Sequence, residues 1–304
     1  MLKPMLFWIS LGLSLTIRAD PQVVVTIKPI HALVSGIMDG VNTPYLLLAG
    51  GESPHTYSLR PSQVKQLHQA DLLVWIGPAV EKFLEKPLTT LSDQTQVLRL
   101  LDVPDLTLLK ARRGETWENH HHHHDSHPAT ETEIDQHIWL DPHNAQAMVL
   151  AITPVLSQID PNNAPRYQQN ATRLIEQLDQ LDQELKKQIA PVKELPFLVF
   201  HDAYQYFENR YGIAAVGSIS LSPETRPSVK RLHELRSRIK QLQVRCVLSE
   251  PQFESALVTT LIEGTLTRRG ILDPLGVELT AGTEAYFILL RNLAKSLSQC
   301  LLNQ

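Results

Sequence analysis

A long helical repeat in the middle of the chain constrains the fold more than any other feature. Between Asn163 and Ala190, apolar side chains recur every three or four residues, and Gln, Asp, Glu and Lys fill the positions between them. The apolar positions are Tyr167, Ala171, Leu174, Leu178, Leu181 and Leu185. No glycine or proline interrupts the pattern after its first turn. The spacing therefore predicts one amphipathic helix of about 26 residues, roughly 39 Å long, and not a helical hairpin.

Strand and helix patterns lie on both sides of this helix. Before it, strands are predicted at Val23–Ile27, Tyr45–Ala49 and Asp71–Gly77, with helices from about Ile30 to Met38 and from Pro61. After it, strands are predicted at Phe197–Phe200 and Val244–Ser249, with helices near Val258 and Leu289. Alternating strands and helices predict parallel sheets covered on both faces. We expect an α/β fold with two lobes, each a mostly parallel sheet flanked by helices, joined by one long rigid helix.

The predicted domain organisation follows from this pattern. It comprises a signal peptide (1–19), an N-terminal α/β lobe (20–160), a linking helix (161–191) and a C-terminal α/β lobe (192–304).

The N-terminus is typical of a secretory signal peptide. Lys3 precedes an apolar stretch from Leu6 to Ile17 that is too short to span a bilayer, and Ala19 is a small residue suited to cleavage. No cysteine lies near this point, so we expect no lipid anchor. These features predict an exported, soluble protein that starts near Asp20.

Composition excludes one class of partner and reveals one unusual residue. The net charge of −4 provides no basic surface, so a nucleic-acid partner is not expected. Histidine is the outlier, because 13 are present and six of them lie within a short stretch of the chain. Those six are His120, His121, His122, His123, His124 and His127.

The stretch that holds these histidines lacks any periodicity and is flanked by acidic residues. We expect 112–132 to be a disordered loop, because it cannot bury enough apolar surface to become ordered. A mobile polyhistidine can hold Zn²⁺, but restricting a flexible chain costs entropy and lowers the affinity. The six histidines are therefore predicted to be an auxiliary, weak metal site; the alternative is a spacer without a metal-binding role.

The two cysteines of the chain are Cys246 and Cys300. In an exported protein two cysteines usually pair, although two free thiols remain an alternative. A cysteine-based metal site is a poorer interpretation, because the CxxC spacing of such sites is missing.

Three other histidines occupy places typical of ligand sites. His55 lies in a loop between a strand and a helix, His137 begins a predicted short strand (His137–Leu140), and His201 follows the strand Phe197–Phe200. The carboxyl ends of strands in open α/β sheets face the ligand crevice, so a cleft between the lobes could collect all three. Three neutral imidazoles suit Zn²⁺ and leave a fourth position for water or a carboxylate. Asp273, on a turn of the second lobe, is a candidate carboxylate.

The remaining histidines and Trp139 allow plainer interpretations. His68 and His233 lie on helix faces and are expected to be surface residues. His31 and His143 each adjoin a proline-containing turn that they could cap. Trp139 shares a face with His137 in the predicted strand, where it could line the site or belong to the core.

Five motifs then point to a family: "SPHTYSLRPSQVKQLHQADLLVWIG", "QHIWLDP", "VFHDAYQYFENRYGI", "VLSEPQF" and "GILDPLG", in this order. With them the chain resembles, over essentially its whole mature length, the periplasmic zinc-binding proteins of high-affinity zinc ABC importers. This is the ZnuA type of the metal-binding solute-binding proteins. The resemblance implies that His55, His137 and His201 are the metal ligands and that Cys246 pairs with Cys300. It also implies a His-rich acidic loop at this place in the chain.

The resemblance also bears on the choice of metal. A carboxylate replaces the histidine at the position of His201 in the manganese branch of the family, so histidine there favours zinc. Some zinc-type relatives have a glutamate directly before the first histidine, where this chain has Pro54. The fourth ligand is therefore either Asp273 or water.

The resemblance implies a monomer that captures Zn²⁺ between its lobes and delivers it to the membrane permease of an ABC transporter, and through it to the ATPase. A binding protein for manganese or another divalent metal is an alternative. A surface adhesin is less consistent with the missing lipid anchor. An exported zinc hydrolase is less consistent with the lack of an HExxH motif, so we expect no enzymatic activity.

Overall fold

The computed structural model describes residues 20–112, 134–220, 227–253 and 255–302. The predicted signal peptide and the six clustered histidines lie outside the described residues. No helix within the described ranges combines the length and the apolar character needed to cross a lipid bilayer.

The first lobe is built on a four-stranded parallel sheet. Its strands are β1 (Val23–Val25), β2 (Tyr45–Leu46), β3 (Leu72–Trp75) and β4 (Gln96–Arg99), in the order β2-β1-β3-β4. Strands β1 and β3 occupy the centre and are buried along their whole length, as expected for continuous runs of valine and leucine. The helices of this lobe include α1 (Lys28–Ile37), α2 (Pro61–Gln69) and α3 (Glu85–Leu88).

The second lobe repeats this plan. Its parallel strands are β5 (Phe197–His201), β6 (Ser218–Ser220), β7 (Cys246–Ser249) and β8 (Arg268–Ile271), in the order β6-β5-β7-β8. Its helices are α6 (Gln205–Tyr211), α7 (Val229–Gln241), α8 (Ser255–Ile262) and α9 (Glu284–Leu302). The predicted fold of two parallel sheets flanked by helices is confirmed.

Two long helices, α4 (Pro142–Ile159) and α5 (Ala164–Ile189), connect the lobes. Helix α5 is the predicted linking helix, with 26 residues and all six predicted apolar positions buried. It packs against α1 and α4 of the first lobe and against α9 of the second. One hydrophobic core thus includes residues of both sheets, such as Leu73 of β3 and Val199 of β5. The lobes are therefore joined by a packed layer of helices and not only by a length of chain.

The predicted strand at His137–Leu140 is wrong, because Ile138–Leu140 forms a 3₁₀ turn. The backbone N–H of Leu140 donates to the carbonyl of His137 over 3.2 Å. Directly after this turn α4 begins at Pro142, and the side chain of Asp141 caps it by accepting the backbone N–H of His143 over 2.8 Å. The helix start leaves too few residues for a strand, and local hydrogen bonds satisfy the backbone instead.

The predicted disulfide is present in the second lobe. It joins Cys246, the first residue of β7, to Cys300 of α9, and the Cα atoms of the pair are 5.9 Å apart. The bond ties the terminal helix to the central part of the second sheet across 54 residues of chain.

Replacing both Cys246 and Cys300 by alanine should lower the free energy of unfolding by about 2–4 kcal/mol, because the unfolded chain then loses the constraint of a closed loop. Urea denaturation of the unreduced protein and of the variant measures this difference. Zinc stoichiometry should not change. Cys246 is the first residue of β7, whereas the candidate site lies at the other end of this strand, next to Ser249. Two thiols that react with a labelling reagent in the denatured, unreduced protein would contradict the pairing.

Candidate metal centre

The three histidines singled out in the sequence converge between the lobes. One ring nitrogen from each of His55, His137 and His201 lies within 4.8 Å of the corresponding atoms of the other two. The Nε2 atoms of His137 and His201 are 3.3 Å apart. Two nitrogens on a tetrahedral zinc ion with Zn–N bonds of about 2.0 Å would be separated by about 3.3 Å. The imidazoles of His137 and His201 therefore already have the spacing of two zinc ligands.

The fold brings these residues together from distant parts of the chain. His55 lies in the loop between β2 and α2, His137 directly precedes the 3₁₀ turn, and His201 is the last residue of β5. Both β2 and β5 end at the carboxyl edge of their parallel sheets. These two edges face each other across the cleft, in agreement with the general location of ligand sites in such sheets.

Each imidazole is held through its Nδ1 atom. The Nδ1 atom of His137 is 2.7 Å from Oδ1 of Asp135, and that of His201 is 2.7 Å from Oε1 of Glu250. The Nδ1 atom of His55 is 3.1 Å from the carbonyl oxygen of Ala79. With an acceptor at each Nδ1–H, the neutral rings present the lone pairs of Nε2 to the cleft. Such partners fix the tautomer and the orientation of metal-ligating histidines.

Sequence reasoning did not identify Asp135 or Glu250, although a signal for Glu250 was present. Glu250 directly follows β7, and β7 is the neighbour of β5, which ends at His201. The carboxyl ends of adjacent parallel strands lie side by side, so this placement could have suggested the pair. Asp135 has a weaker signal, since it lies two residues before His137 in a segment without periodicity.

Burial and neighbouring charges give the histidines different proton affinities. The pKa of His55 is lowered to about 3, mainly by burial and in addition by the nearby His137 and His201. Burial alone would also lower the pKa of His201, but the carboxylate of Glu250 outweighs it and raises this pKa above its ordinary value of 6.5. The ring of His55 is therefore neutral at neutral pH, whereas His201 retains a proton more readily.

Asp273 is engaged in its own turn. Its Oδ1 atom accepts the backbone N–H groups of Leu275 and Gly276 over 3.0 and 2.9 Å, and its Oδ2 atom accepts that of Val277 over 2.6 Å. It does not belong to the group of converging ligand atoms found among the described residues. Its neighbours Pro274 and Leu275 line the site instead.

The cavity among the three histidines is small and mainly apolar. Its volume is about 10 Å³, and it is also lined by Ser53, Pro54, Trp139, Glu250, Gln252, Phe253, Pro274 and Leu275. This volume corresponds to about one water-sized sphere. The indole of Trp139 is 1% exposed, lies 5.2 Å from the ring of His137, and donates its N–H to the carbonyl of Pro274 over 2.8 Å. Trp139 is thus both a wall of the cavity and a core residue, and the cavity has room for a single ion.

The other described histidines lie apart from this group. His68 and His233 are exposed, as predicted. His31 is buried, and its Nε2 atom is 2.9 Å from the carbonyl oxygen of Pro44, so it supports the turn beside it. His143 is exposed at the start of α4.

The residues that flank the predicted His-rich loop lie next to the site. Lys110 and Ile134 form an antiparallel bridge, one residue before Asp135. Arg112 contacts two buried carboxylates of the second lobe, Asp202 at 2.8 Å and Glu208 at 2.9 Å. Burial raises the pKa of Asp202 to about 6, although Arg112 opposes this shift. The chain thus enters and leaves 113–133 at the cleft, beside residues that adjoin His137 and His201.

Zinc affinity should decrease as the pH is lowered, because a proton and the metal compete for Nε2 of His201. Since the pKa of His201 is raised, this competition begins at a higher pH than for an ordinary imidazole. Below that pKa the association constant should fall roughly tenfold per pH unit. His55 should not contribute until strongly acidic pH. Competition titrations with a zinc chelator between about pH 5 and pH 8 measure the profile.

Replacing Glu250 by glutamine should move this profile to lower pH, because an amide cannot stabilise the protonated ring of His201 as a carboxylate does. At alkaline pH, where protons no longer compete, affinity should be lower by roughly 10–100-fold, the usual cost of changing a partner of a ligating histidine. The exposed Glu263 provides the matched control, Glu263→Gln, which should have the wild-type profile. A Glu250→Gln profile that coincides with the wild type would show that Glu250 does not control His201.

Comparisons with known proteins place nearly the whole chain among its relatives. The family model described as zinc-uptake complex component A, periplasmic, matches residues 23–300. The high-affinity zinc uptake system protein ZnuA of Brucella abortus (strain 2308) is 43% identical to this chain. The match covers 92% of this chain and 91% of the relative. The protein of the same name from Yersinia pestis is 36% identical and covers 93% and 92%, respectively.

Similarity to a solved structure extends the agreement to the fold. The crystal structure of ZnuA superposes with a TM-score of 0.77 at 22% sequence identity, covering 92% of this chain and 98% of that chain. At this identity the likeness bears on the fold alone, whereas the family model and the curated relatives bear on ancestry. Together with the three converging imidazoles, they show that this chain belongs to the family of periplasmic zinc-uptake components of the ZnuA type.

Proposed function

We propose that this protein binds Zn²⁺ between its lobes in the periplasm and delivers it to the permease of an ABC importer. The observation that carries the proposal is the set of three imidazoles with their Nδ1 atoms engaged and one nitrogen from each directed to a common point. His55, His137 and His201 are the proposed ligands. Water, and not Asp273, is the proposed fourth ligand, because the carboxylate of Asp273 already accepts three backbone N–H groups.

The chemistry of the donors favours zinc over manganese. Imidazole nitrogen suits zinc, whereas manganese prefers carboxylate and carbonyl oxygen. The two carboxylates nearest the rings, those of Asp135 and Glu250, lie at Nδ1, on the far side of each ring from the converging nitrogens. They fix the orientation of the ligand rings, and each has an oxygen already engaged at Nδ1.

The shape of the site favours binding over hydrolysis. A hydrolase must place an ester or peptide group and a general base beside the metal. The cavity of about 10 Å³ holds one ion or water, whereas pockets for organic ligands have volumes of roughly 300–1,000 Å³. One carboxylate oxygen of Asp135 and one of Glu250 are hydrogen-bonded to histidine rings, so both carboxylates already support ligands.

The names of the relatives support the proposed localisation and partners. The curated relatives are named as components of a high-affinity zinc uptake system. An exported binding protein of this kind would act as a monomer and meet the permease and, through it, the ATPase at the membrane. The histidines at 120–124 and 127 would act as a weak auxiliary site that raises the local zinc concentration next to the cleft.

Replacing His201 by alanine should weaken zinc binding beyond the roughly 10–100-fold typical of an outer-shell change, because one of three ligands is lost. Competition with a chromophoric chelator, using exported and demetallated protein, measures the affinity. His68→Ala is the matched control and should bind zinc as tightly as the wild type, since His68 is exposed on α2.

One further variant and a comparison of two metals separate the alternatives. Deleting Asn119–Pro128 should leave one tight site and remove one or more weaker ones. Wild-type affinity in His201→Ala, or loss of the tight site on this deletion, would transfer the primary site to the clustered histidines and overturn the proposal. Comparable affinities for Mn²⁺ and Zn²⁺ in calorimetry would indicate a manganese-type binding protein.

A further inference from the structure

One wall of the cavity is a turn of the second lobe, residues 273–277, which we call the 273–277 turn. Within the turn, the carboxylate of Asp273 accepts three backbone N–H groups, and Gly276 has a positive φ of 65°. Pro274 and Leu275 face the proposed ligands in the cavity. Hydrogen bonds within the turn therefore fix its conformation. Its position relative to the first lobe determines how far Pro274 and Leu275 close the cavity.

The contacts that set this position come from the first lobe. Lys28, at the start of α1, is only 5% exposed, and its Nζ atom donates to the carbonyl oxygens of Gly276 at 2.8 Å and Val277 at 2.6 Å. The indole N–H of Trp139 donates to the carbonyl of Pro274 over 2.8 Å. These three hydrogen bonds join one lobe to the other directly beside the cavity.

The same turn also contacts the loop that carries the first proposed ligand. A Cβ atom placed on Gly51 would lie 3.0 Å from Cγ1 of Val277, so the side chain of Val277 packs closely against the backbone before His55. A displacement of the 273–277 turn would therefore open the cavity at Leu275 and also remove the support of the His55 loop.

Lys28 is a charged residue at a buried position. Burial lowers the pKa of Lys28, while the carboxylate of Asp273 opposes this shift. A buried lysine is expensive unless its donors are satisfied. Here the carbonyl groups of the turn satisfy two donors and Asp273 supplies a nearby opposite charge. Within the described residues Lys28 forms no hydrogen bond with a proposed zinc ligand, so we expect it to act on the site through the turn.

We propose that Lys28 is a positioning residue, a latch between the lobes that holds the 273–277 turn over the cavity and so limits the rate at which zinc leaves. This inference rests on the proposed function and adds a residue that controls release without touching the metal. Loss of the latch should accelerate dissociation and leave the ligand geometry and the association rate unchanged.

The test is the dissociation rate of zinc from Lys28→Met, measured by stopped-flow mixing of the loaded, full-length protein with excess chelator. Methionine retains most of the volume of lysine but removes the charged donor. The dissociation rate should increase roughly tenfold, as expected for loss of a charge-assisted hydrogen bond. The association rate and the visible spectrum of the Co²⁺-substituted protein should equal those of the wild type.

Two other variants make the test specific. Leu156→Ala destabilises the core of α4 away from the cleft, and its zinc dissociation rate should match that of the wild type. Val277→Ala removes the contact with Gly51 and retains the carbonyl groups, so it should give a smaller increase; it also decides the question if Lys28→Met does not fold.

The outcomes distinguish the latch from the proposed function. A wild-type protein without a tight zinc site would overturn the proposed function itself. A tight wild-type site with unchanged dissociation in Lys28→Met, or with equal acceleration in Leu156→Ala, would overturn only the latch. An altered Co²⁺ spectrum in Lys28→Met would also overturn it, because it would show that Lys28 shapes the ligand set.

Discussion

The packing of α5 between the lobes is the constraint on which the rest of the structure depends. Because its buried side contacts helices of both lobes, the two sheets share one hydrophobic core, and their carboxyl edges face each other at a fixed distance. Closely packed protein cores respond to strain by switching between discrete arrangements and do not deform continuously. A wide hinge motion would expose apolar side chains of α5, whereas a small shift of a loop at the cleft would not. Exchange of a cargo ion is therefore expected to involve the loops.

The site combines three rings that differ in their electrostatic surroundings. The Nδ1 atom of His55 is hydrogen-bonded to a neutral carbonyl group, and this ring remains unprotonated. The Nδ1 atoms of His137 and His201 are hydrogen-bonded to carboxylates. The carboxylate of Glu250 makes the ring of His201 a stronger donor to a metal but also a stronger base for protons. The carbonyl-supported ring avoids that competition. Tight binding at neutral pH and release in acid can thus arise from the same three residues.

Much of the fold was predictable because buried elements have strong periodic signals. Helix α5 and the central strands β1, β3, β5 and β7 were identified, since their apolar residues are continuous or helically spaced. Strands β4, β6 and β8 were missed, and all three lie at sheet edges. Strands β4 and β8 contain exposed or half-buried residues such as Arg99 and Arg269, whereas β6 has only three residues, two of them serine. The prediction of a strand at His137 was wrong because α4 begins soon after it, with Asp141 as its cap. The short apolar run before this helix start is too short to form a strand.

The site was less accessible to sequence reasoning. The three histidines are 64 or more residues apart, so no spacing rule could group them; their place at strand ends suggested a cleft, and the family resemblance supplied the grouping. Asp273 looked like a ligand because a turn carboxylate is an oxygen donor. Its hydrogen bonds to three amides of the same turn depend on backbone geometry that residue identity does not reveal. Lys28 had no sequence signal, because its partners are carbonyl groups of the other lobe.

The bridge between Lys110 and Ile134 has a consequence for how this protein could change during evolution. The bridge joins the two ends of the stretch between Lys110 and Ile134. Asp135, which supports His137, directly follows the bridge. The entropy of closing a flexible connection grows with the logarithm of its length, and each doubling costs only about 0.6 kcal/mol. A change in the length of the stretch between these residues should therefore cost little and leave Asp135, and the ring that it holds, in place. The sequence between Lys110 and Ile134 and the sequence of the cleft can thus vary independently of each other.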